Sequence, residues 1–544
     1  MNTRQLQTDK NQKLYHALLG ILLVCALAMM MLLSYWGCKY SYYGAVDGRS
    51  RGVLVRDKTW AHIAAFLVAS LCAIGIDKVL MKKDKSQQEK ICLCTLIATS
   101  VIAFILGVFY VCKNPYYPVG DQINTTAFAA YCRDGNFSML SIGGYVGMYQ
   151  QQKGLAILYE ILFTLFGDFN YRPAKILHVV WWILTILAGY GFLKLNTDRP
   201  VFRMLYCVMM LGCFPLLFYL PYIYGDVLSI SFGIILFYGV AAYEHSGQKR
   251  YIALASFAAG LAVLARKNTW IVLVAVAVYA LLASLRKWKV RYLLAGTAIL
   301  LTAALSVKAV DVIYEVRSGY PSGVGIPSIL WVAMGLQETE GRAGVYNRYQ
   351  QATFTDYDCQ QELAAQQGKE YIRERLEEFS QDPGMAFDFF KNKLEGQWIE
   401  PMYAALESTE SFEEGAELSP VLESLYYGEL GNTIWKLTNY YQSILYLAGL
   451  MALVMLGILW WKKKEVPISL WLPWIAVFGG FLFSILWEAK SRYVFPYCVF
   501  MILYAPEGLY QMGLLLCKLP KLRKFKKSGQ TQDKGEEASL RETA

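Results

Sequence analysis

Histidine is scarce in this chain, with four in 544 residues, and His16, His62, His178 and His245 each stand far from a second plausible ligand. No histidine metal site is expected. The twelve cysteines offer none either: they are scattered, mostly through apolar runs such as Ile91-Cys92-Leu93-Cys94, without the paired spacing that zinc requires. They read as small core hydrophobes. Cys132 and Cys359 fall on the same expected side of the membrane and are free to pair, although no spacing demands it. Charge is thin too, at 17% of residues. The net +10 arises from short Lys and Arg clusters between apolar runs, which argues against nucleic acid as a partner and marks membrane topology instead. No small-residue cleavage site follows the first apolar run, residues 14 to 36, so that run is expected to stay in the mature protein.

What is abundant is apolar surface, 56% of the chain, gathered in repeated long runs. A membrane span needs about 20 predominantly apolar residues. Twelve segments qualify: 14 to 36, 60 to 81, 91 to 112, 174 to 194, 201 to 221, 226 to 243, 250 to 266, 268 to 285, 291 to 312, 437 to 461, 467 to 487 and 493 to 514. The expected fold is an all-α polytopic membrane bundle of about 12 spans, with interfacial helices and a small helical extracytoplasmic region.

Basic clusters set the expected orientation. Arg4, Lys10 and Lys13 precede the first span; Lys78, Lys82, Lys83, Lys85 and Lys90 follow the second; Arg199 with Arg203, Lys249 with Arg250, Arg286 through Arg291, and Lys462 to Lys464 mark later loops. With the basic tail from Lys518 to Lys527, they place both termini in the cytoplasm of a plasma-membrane protein. The alternation requires that the apolar stretch Gly154 to Phe166, which carries Glu160, lies in the outer interface rather than crossing. The first outer loop, with Lys39, Arg49, Arg51, Arg56 and Lys58, departs from the rule.

The chain therefore divides into an N-terminal tail and hairpin (1–90), a membrane core (91–312) with outer loop 113–172, an outer helical region (313–435), C-terminal spans (436–517) and a basic, then polar and disordered, tail (518–544). Within 313–435, Asp382-Pro383 and Ser419-Pro420 are N-cap and first-turn signatures. Leu363, Tyr371, Ile372 and Leu376 are spaced along one helical face.

Two aspartates follow a glycine where an apolar run ends, in Tyr117-Pro118-Val119-Gly120-Asp121 and Tyr224-Gly225-Asp226. Each has two readings: a helix N-cap, or a partly desolvated carboxylate serving as a general base or metal ligand. No motif demands a cofactor; a divalent cation, Mg or Mn, with Asp121 as ligand is left open. Cations gather on the same expected side. Arg266 breaks two apolar runs, where a charge costs about 2.5–3.5 kcal/mol at a span centre and less near its ends; a lipid phosphate or an acid such as Asp311 or Glu315 offsets that cost. The turn Trp487-Glu488-Ala489-Lys490-Ser491-Arg492-Tyr493 offers Arg492 as a planar fork for phosphate, with Glu488 to orient it and Tyr493 beside it. Lys153 and Arg172, at either end of the interfacial stretch, complete the phosphate-binding candidates.

The order of these features resembles the GT-C superfamily of membrane glycosyltransferases, the group with protein O-mannosyltransferases and the lipid A aminoarabinose transferase. The matching elements are Asp121, the Gln152-Lys153-Gly154 helix ending in Leu165-Phe166-Gly167 with Arg172 after it, Tyr224-Gly225-Asp226, and Ser491-Arg492-Tyr493 with Pro496. Ile326-Pro327 to Met334-Gly335-Leu336, and Lys393 to Trp398 with Pro401, are similar to the outer region of Gram-positive members. Two features differ: the acid pair of the O-mannosyltransferases is Gly120-Asp121-Gln122 here, and the hairpin of residues 14 to 81 is additional. The resemblance implies sugar transfer from a polyprenyl-phosphate-sugar donor to an acceptor hydroxyl of the cell envelope or a glycan, on the extracytoplasmic face, with inversion. It implies Asp121 as base, Asp226 as a second catalytic acid, and Lys153, Arg266 and Arg492 on the phosphate.

Other classes make different demands. A polysaccharide polymerase or ligase is the closer rival, since it too uses outer-face cations on a polyprenyl-linked substrate; a large outer loop with paired arginines favours it, and here Arg373 and Arg375 stand on a helix that otherwise reads as solvated. A transporter or flippase calls for inverted repeats or Gly/Pro-broken helices with charges at mid-membrane, and the sequence has neither. A scaffold predicts no clustering of opposite charges at one face.

Overall fold

Helix length and hydropathy agree along most of the chain. The computed structural model describes residues 3–43, 53–287, 289–321, 323 and 325–518. Arg49, Arg51 and the tail beyond 518 lie outside the described residues, as do the side chains of Arg4 and Lys10.

The chain opens with α1 (Thr3–Lys39), the antiparallel strands β1 (Tyr40–Tyr43) and β2 (Val53–Arg56), α2 (Thr59–Leu80) and α3 (Lys85–Lys113). Asp84 caps α3, its side chain accepting from the Gln87 amide at 2.9 Å. Three shorter helices follow, α4 (Asp121–Arg133), α5 (Tyr145–Met148) and α6 (Lys153–Phe166). Next come α7 (Arg172–Asn196), α8 (Pro200–Gly212), α9 (Phe214–Phe218), α10 (Asp226–Ser246), α11 (Lys249–Ala265), α12 (Trp270–Lys287) and α13 (Arg291–Ser318).

The region between α13 and the last spans holds α14 (Ile329–Gly335), a two-residue-per-strand hairpin of β3 (Glu338–Thr339) and β4 (Arg342–Ala343), α15 (Tyr349–Asp356), α16 (Gln361–Gln381), α17 (Pro383–Trp398), α18 (Ala405–Ser408) and α19 (Pro420–Tyr427). The last spans are α20 (Glu429–Trp461), α21 (Leu472–Leu486), α22 (Ser491–Met501) and α23 (Ala505–Lys518).

Among the described residues, nine helices are long and apolar enough to cross a membrane, and α22 with α23 makes a tenth if the pair, bent by 60°, is one span. This is a polytopic helical membrane protein. Two of the expected spans, 201–221 and 250–266, fall on shorter helices. Helix α8 stops after 13 residues because Cys213 leaves helical geometry just ahead of Pro215, whose ring removes an N–H donor and crowds the preceding turn. Helix α11 has 17 residues, between left-handed Gly247 and extended Arg266. At 1.5 Å per residue the two reach about 20 and 26 Å, short of a hydrocarbon core of about 30 Å. Helix α6, 14 residues long, is shorter than a span, in keeping with an interfacial reading.

Burial ranks the helices from centre to rim. In α10, 89% of the span window is buried, against 22% in α3 and α13. Helix α10 packs between α7 and α11 at the centre. The rim helices expose apolar stripes, Ile105 and Phe109 on α3 and Leu301 and Leu305 on α13, as a lipid-facing surface requires. Helices α10 and α11 meet backbone to backbone at one end: a Cβ on Gly225 would lie 1.9 Å from the Ala265 carbonyl oxygen. Only glycine fits there, and the approach sets Asp226 beside Arg266.

Both expected caps are present, with the Asp382 side chain accepting from the Met385 amide at 2.9 Å and Ser419 from Leu422 at 3.4 Å. The expected face of α16 holds at Tyr371 and Ile372, which are half-buried, and is corrected at its other two positions. Leu363 and Leu376 are exposed, while Ala364, Gly368 and Phe379 are buried, because small residues at 364 and 368 let α14 approach closely. A methyl on Gly368 would meet Leu330 at 2.8 Å. Cys132 and Cys359 are both free thiols.

Candidate functional site

The first turn of α4, Tyr145 to Gln152, Tyr224 just ahead of α10, Trp331 of α14, the segment from 339 to 351 and the turn leading into α22 line one cavity of about 1040 Å³. Asp121 stands on its wall. The chain reaches it through Gly120, whose φ of 58° and ψ of −126° belong to glycine territory, and α4 then begins at Asp121 itself. The carboxylate does not cap the helix. It is exposed to the cavity, and Oδ1 accepts from the Tyr145 hydroxyl at 2.9 Å, its one side-chain partner among the described residues.

Asp226 has the opposite environment. It also opens its helix without capping it, but it is only 2% exposed and accepts from Arg266 through Oδ1, with Arg492 Nε 3.9 Å away. The two guanidinium groups lie among tyrosine rings. Arg266 is 5.5 and 5.4 Å from the centroids of Tyr224 and Tyr493, and Arg492 is 5.2 Å from Tyr222, 5.4 Å from Tyr224 and 5.5 Å from Tyr493. Ring faces attract cations when water is excluded, so a central carboxylate and three tyrosines hold both arginines in place. Arg492 donates to the Tyr222 hydroxyl and reaches the large cavity; Arg266 lines an adjoining crevice of about 100 Å³ that shares Gln152, Tyr224, Glu488 and Tyr493 with it.

Glu488, in the turn between α21 and α22, is 6% exposed and accepts from the Tyr493 hydroxyl at 3.4 Å. Burial pushes its carboxyl up to about 7; Lys490 opposes the shift and Asp121 adds to it. A loop running from α14 to α15 closes the cavity on one side. Gly344 donates to the Gln337 carbonyl at 2.7 Å, and Ala489 donates to the Gly344 carbonyl at 2.7 Å, so the 487–490 turn and this loop hold each other. Beneath the loop, Lys393 donates to the Gly335 carbonyl, and burial lowers its amine to about 7.

Asp121, Asp226, Arg266, Arg492, Glu488 and Tyr493 thus meet at one end of the bundle. Lys153 and Arg172 do not join them. Lys153 is buried and ion-paired with Asp311 at 3.1 Å, which also corrects the acid expected for Arg266: its partner is Asp226, not Asp311 or Glu315. Arg172 is exposed at the first turn of α7 and does not line the cavity. Arg373 is exposed on α16, and Arg375 donates to the Leu336 carbonyl at 3.0 Å and to Glu378 at 2.6 Å; neither lines the cavity.

Other lining residues carried no sequence signal of their own: Tyr145, Arg342, Arg348, and Lys490, which forms no ion pair among the described residues. Lys490 sits two residues from Arg492, and only the turn geometry gives the two cations different places, one open and one buried. No group of three or more His, Cys, Asp or Glu side chains able to hold a metal ion occurs among the described residues. No family model matches the chain, and neither does any curated protein or solved structure.

Proposed function

We propose that the protein is a glycosyltransferase that moves a sugar from a polyprenyl-phosphate-linked donor to an acceptor hydroxyl at the extracytoplasmic face of the plasma membrane. The observation that carries this reading is the division of labour between the two aspartates. Asp121 forms no ion pair among the described residues and is open to a large cavity, as a general base must be. Asp226 instead holds Arg492 and Arg266 at the inner corner of the same site.

In the reaction, the acceptor hydroxyl oxygen attacks the anomeric carbon and its proton passes to Asp121. The bond from that carbon to the donor phosphate breaks with both electrons staying on phosphate. Tyr145 fixes the orientation of the Asp121 carboxylate. Arg492, Arg266 and Lys490 stabilise the negative charge that builds on the departing phosphate; the two arginines are already held in place, so no reorganisation is needed as the charge develops. A single displacement inverts the anomeric configuration. Asp226 acts as a positioning residue for the arginines, and Glu488, whose carboxyl burial pushes up to about 7, lies at the same cavity.

The polymerase or ligase reading loses support from the placement of Arg373 and Arg375 away from the cavity. The transporter reading loses support from the α22–α23 break, which falls on uncharged Ile502-Leu503-Tyr504. The test is transfer by purified protein in proteoliposomes from radiolabelled polyprenyl-phosphate hexoses and pentoses to envelope extract, with the anomeric configuration of the product read by NMR. The reading expects one donor to be used with inversion. Retention, or no transfer from any donor, would overturn it.

A further inference from the structure

The cavity is lined by a chemistry that phosphate and proton transfer do not need. Asn124, Gln151 and Gln351 line it from three elements, and their side-chain amides have no hydrogen-bond partner among the described residues. Gln350 lines it as well, 1% exposed, with its Oε1 unpartnered. An amide places a donor and an acceptor side by side, which matches neighbouring hydroxyls on a sugar ring. Half-exposed on the cavity wall, the amides of Asn124, Gln151 and Gln351 can exchange water for the hydroxyls of a ligand.

Aromatic rings complete the set. Trp331 lies on the cavity wall, parallel to Trp487 at a centroid separation of 5.9 Å and edge-on to Tyr149 at 6.3 Å, so its plane is fixed. Tyr149 packs in turn on Tyr145 at 5.1 Å, next to the Asp121 carboxylate. A flat aromatic surface beside amides suits a pyranose, which has apolar C–H faces and a rim of hydroxyls. The lining is of mixed charge, with Arg342, Arg348, Lys490 and Arg492 interspersed with Asp121, Glu340 and Glu488, so it offers no continuous basic surface to a polyanion.

We propose that this cavity holds a neutral glycan as the acceptor, seated on Trp331 and Tyr149 and read by Asn124, Gln151 and Gln351, with one hydroxyl delivered to Asp121. The word acceptor rests on the transferase reading above; the binding chemistry does not.

The experiment measures binding without turnover. Full-length protein in lipid nanodiscs is passed over immobilised neutral oligosaccharides spanning the common hexoses, N-acetylhexosamines and deoxyhexoses, with polyglycerol phosphate and Ser/Thr-rich peptides alongside. The proposal expects at least one neutral saccharide to bind, Trp331→Ala to weaken it about tenfold, Trp331→Phe to retain most of the affinity, and exposed Arg373→Ala to change nothing. If Trp331→Ala does not fold, the Asn124→Ala/Gln351→Ala pair takes its place with the same expected direction. The proposal is overturned if no neutral saccharide binds, if only the phosphate polymer or the peptides bind, or if binding is unchanged in these variants. Because no transfer is read, glycan binding with a transfer-competent Asp121→Asn variant would sink the catalytic role alone. Transfer to a peptide or lipid without glycan binding would sink this inference alone.

Discussion

The Tyr145 hydroxyl donates to Oδ1 of Asp121 across 2.9 Å, tying the first turn of α5 to the first turn of α4. Removing the hydroxyl leaves the carboxylate free to rotate and one charge-assisted bond short. Tyr145→Phe is expected to lower kcat about tenfold, with little change in KM or thermal midpoint. An unchanged kcat would show that Asp121 needs no such orientation.

Asp226 has the opposite profile. Asp226→Ala leaves two buried guanidinium groups without their carboxylate, and removing one partner of a buried pair costs about 3–5 kcal/mol. The expected result is a marked fall in thermal midpoint in detergent, together with poor expression. Asp121→Asn, at an exposed site whose one side-chain partner among the described residues, Tyr145, can equally donate to an amide oxygen, should unfold at the wild-type temperature.

The approach of α10 to α11 gives a third prediction. A Cβ on Gly225 would overlap the Ala265 carbonyl and press on Arg266, so Gly225→Ala must separate the two helix ends. A cost of about 1–3 kcal/mol is expected from such overpacking, seen as a lower unfolding midpoint, with activity falling further than stability because Arg266 moves. Wild-type activity in this variant would mean the arginine need not be held so tightly.

The pH dependence of stability follows from two buried groups. Glu488 titrates near 7 instead of 4.5, so the folded protein holds a proton that the unfolded chain releases. Its contribution is fully present below about pH 4.5 and is lost as pH rises through 7. Lys393 titrates near 7 instead of 10.5; here the unfolded chain binds the extra proton, and stability rises from about pH 7 towards 10.5. Thermal midpoints from pH 5 to 9 should show Glu488→Gln flattening the acid-side fall and Lys393→Met flattening the alkaline-side rise. Glu400, pushed to about 8 by burial and by Glu407, leaves part of the fall in place. Parallel profiles for both variants and the wild type would contradict the assignment.

How much of this was legible depends on the range of the interaction involved. Spans such as α7, α10 and α20 are declared by local hydropathy, and the Asp382-Pro383 and Ser419-Pro420 starts by local capping. The alternating basic loops led to the expectation that Asp121 and Arg492 lie near one another, and both line one cavity. Choices made in three dimensions were not available. Lys153 pairs with Asp311, 158 positions away, and nothing near either residue announces it. The break of 201–221 was hidden because Pro215 and Pro221 leave the apolar character intact while interrupting the helix. Part of the buried face of α16 was missed because Ala364 and Gly368 contribute closeness rather than hydrophobicity. The amides of Asn124, Gln151 and Gln351 are ordinary surface residues until the fold gathers them around one space.

The most direct test of the account is the rate of sugar transfer from a radiolabelled polyprenyl-phosphate sugar by Asp121→Asn protein in proteoliposomes, matched to wild type for amount and thermal midpoint. The account predicts a loss of at least about a hundredfold, the usual contribution of a general base, with the protein fully folded. Transfer at the wild-type rate would contradict it.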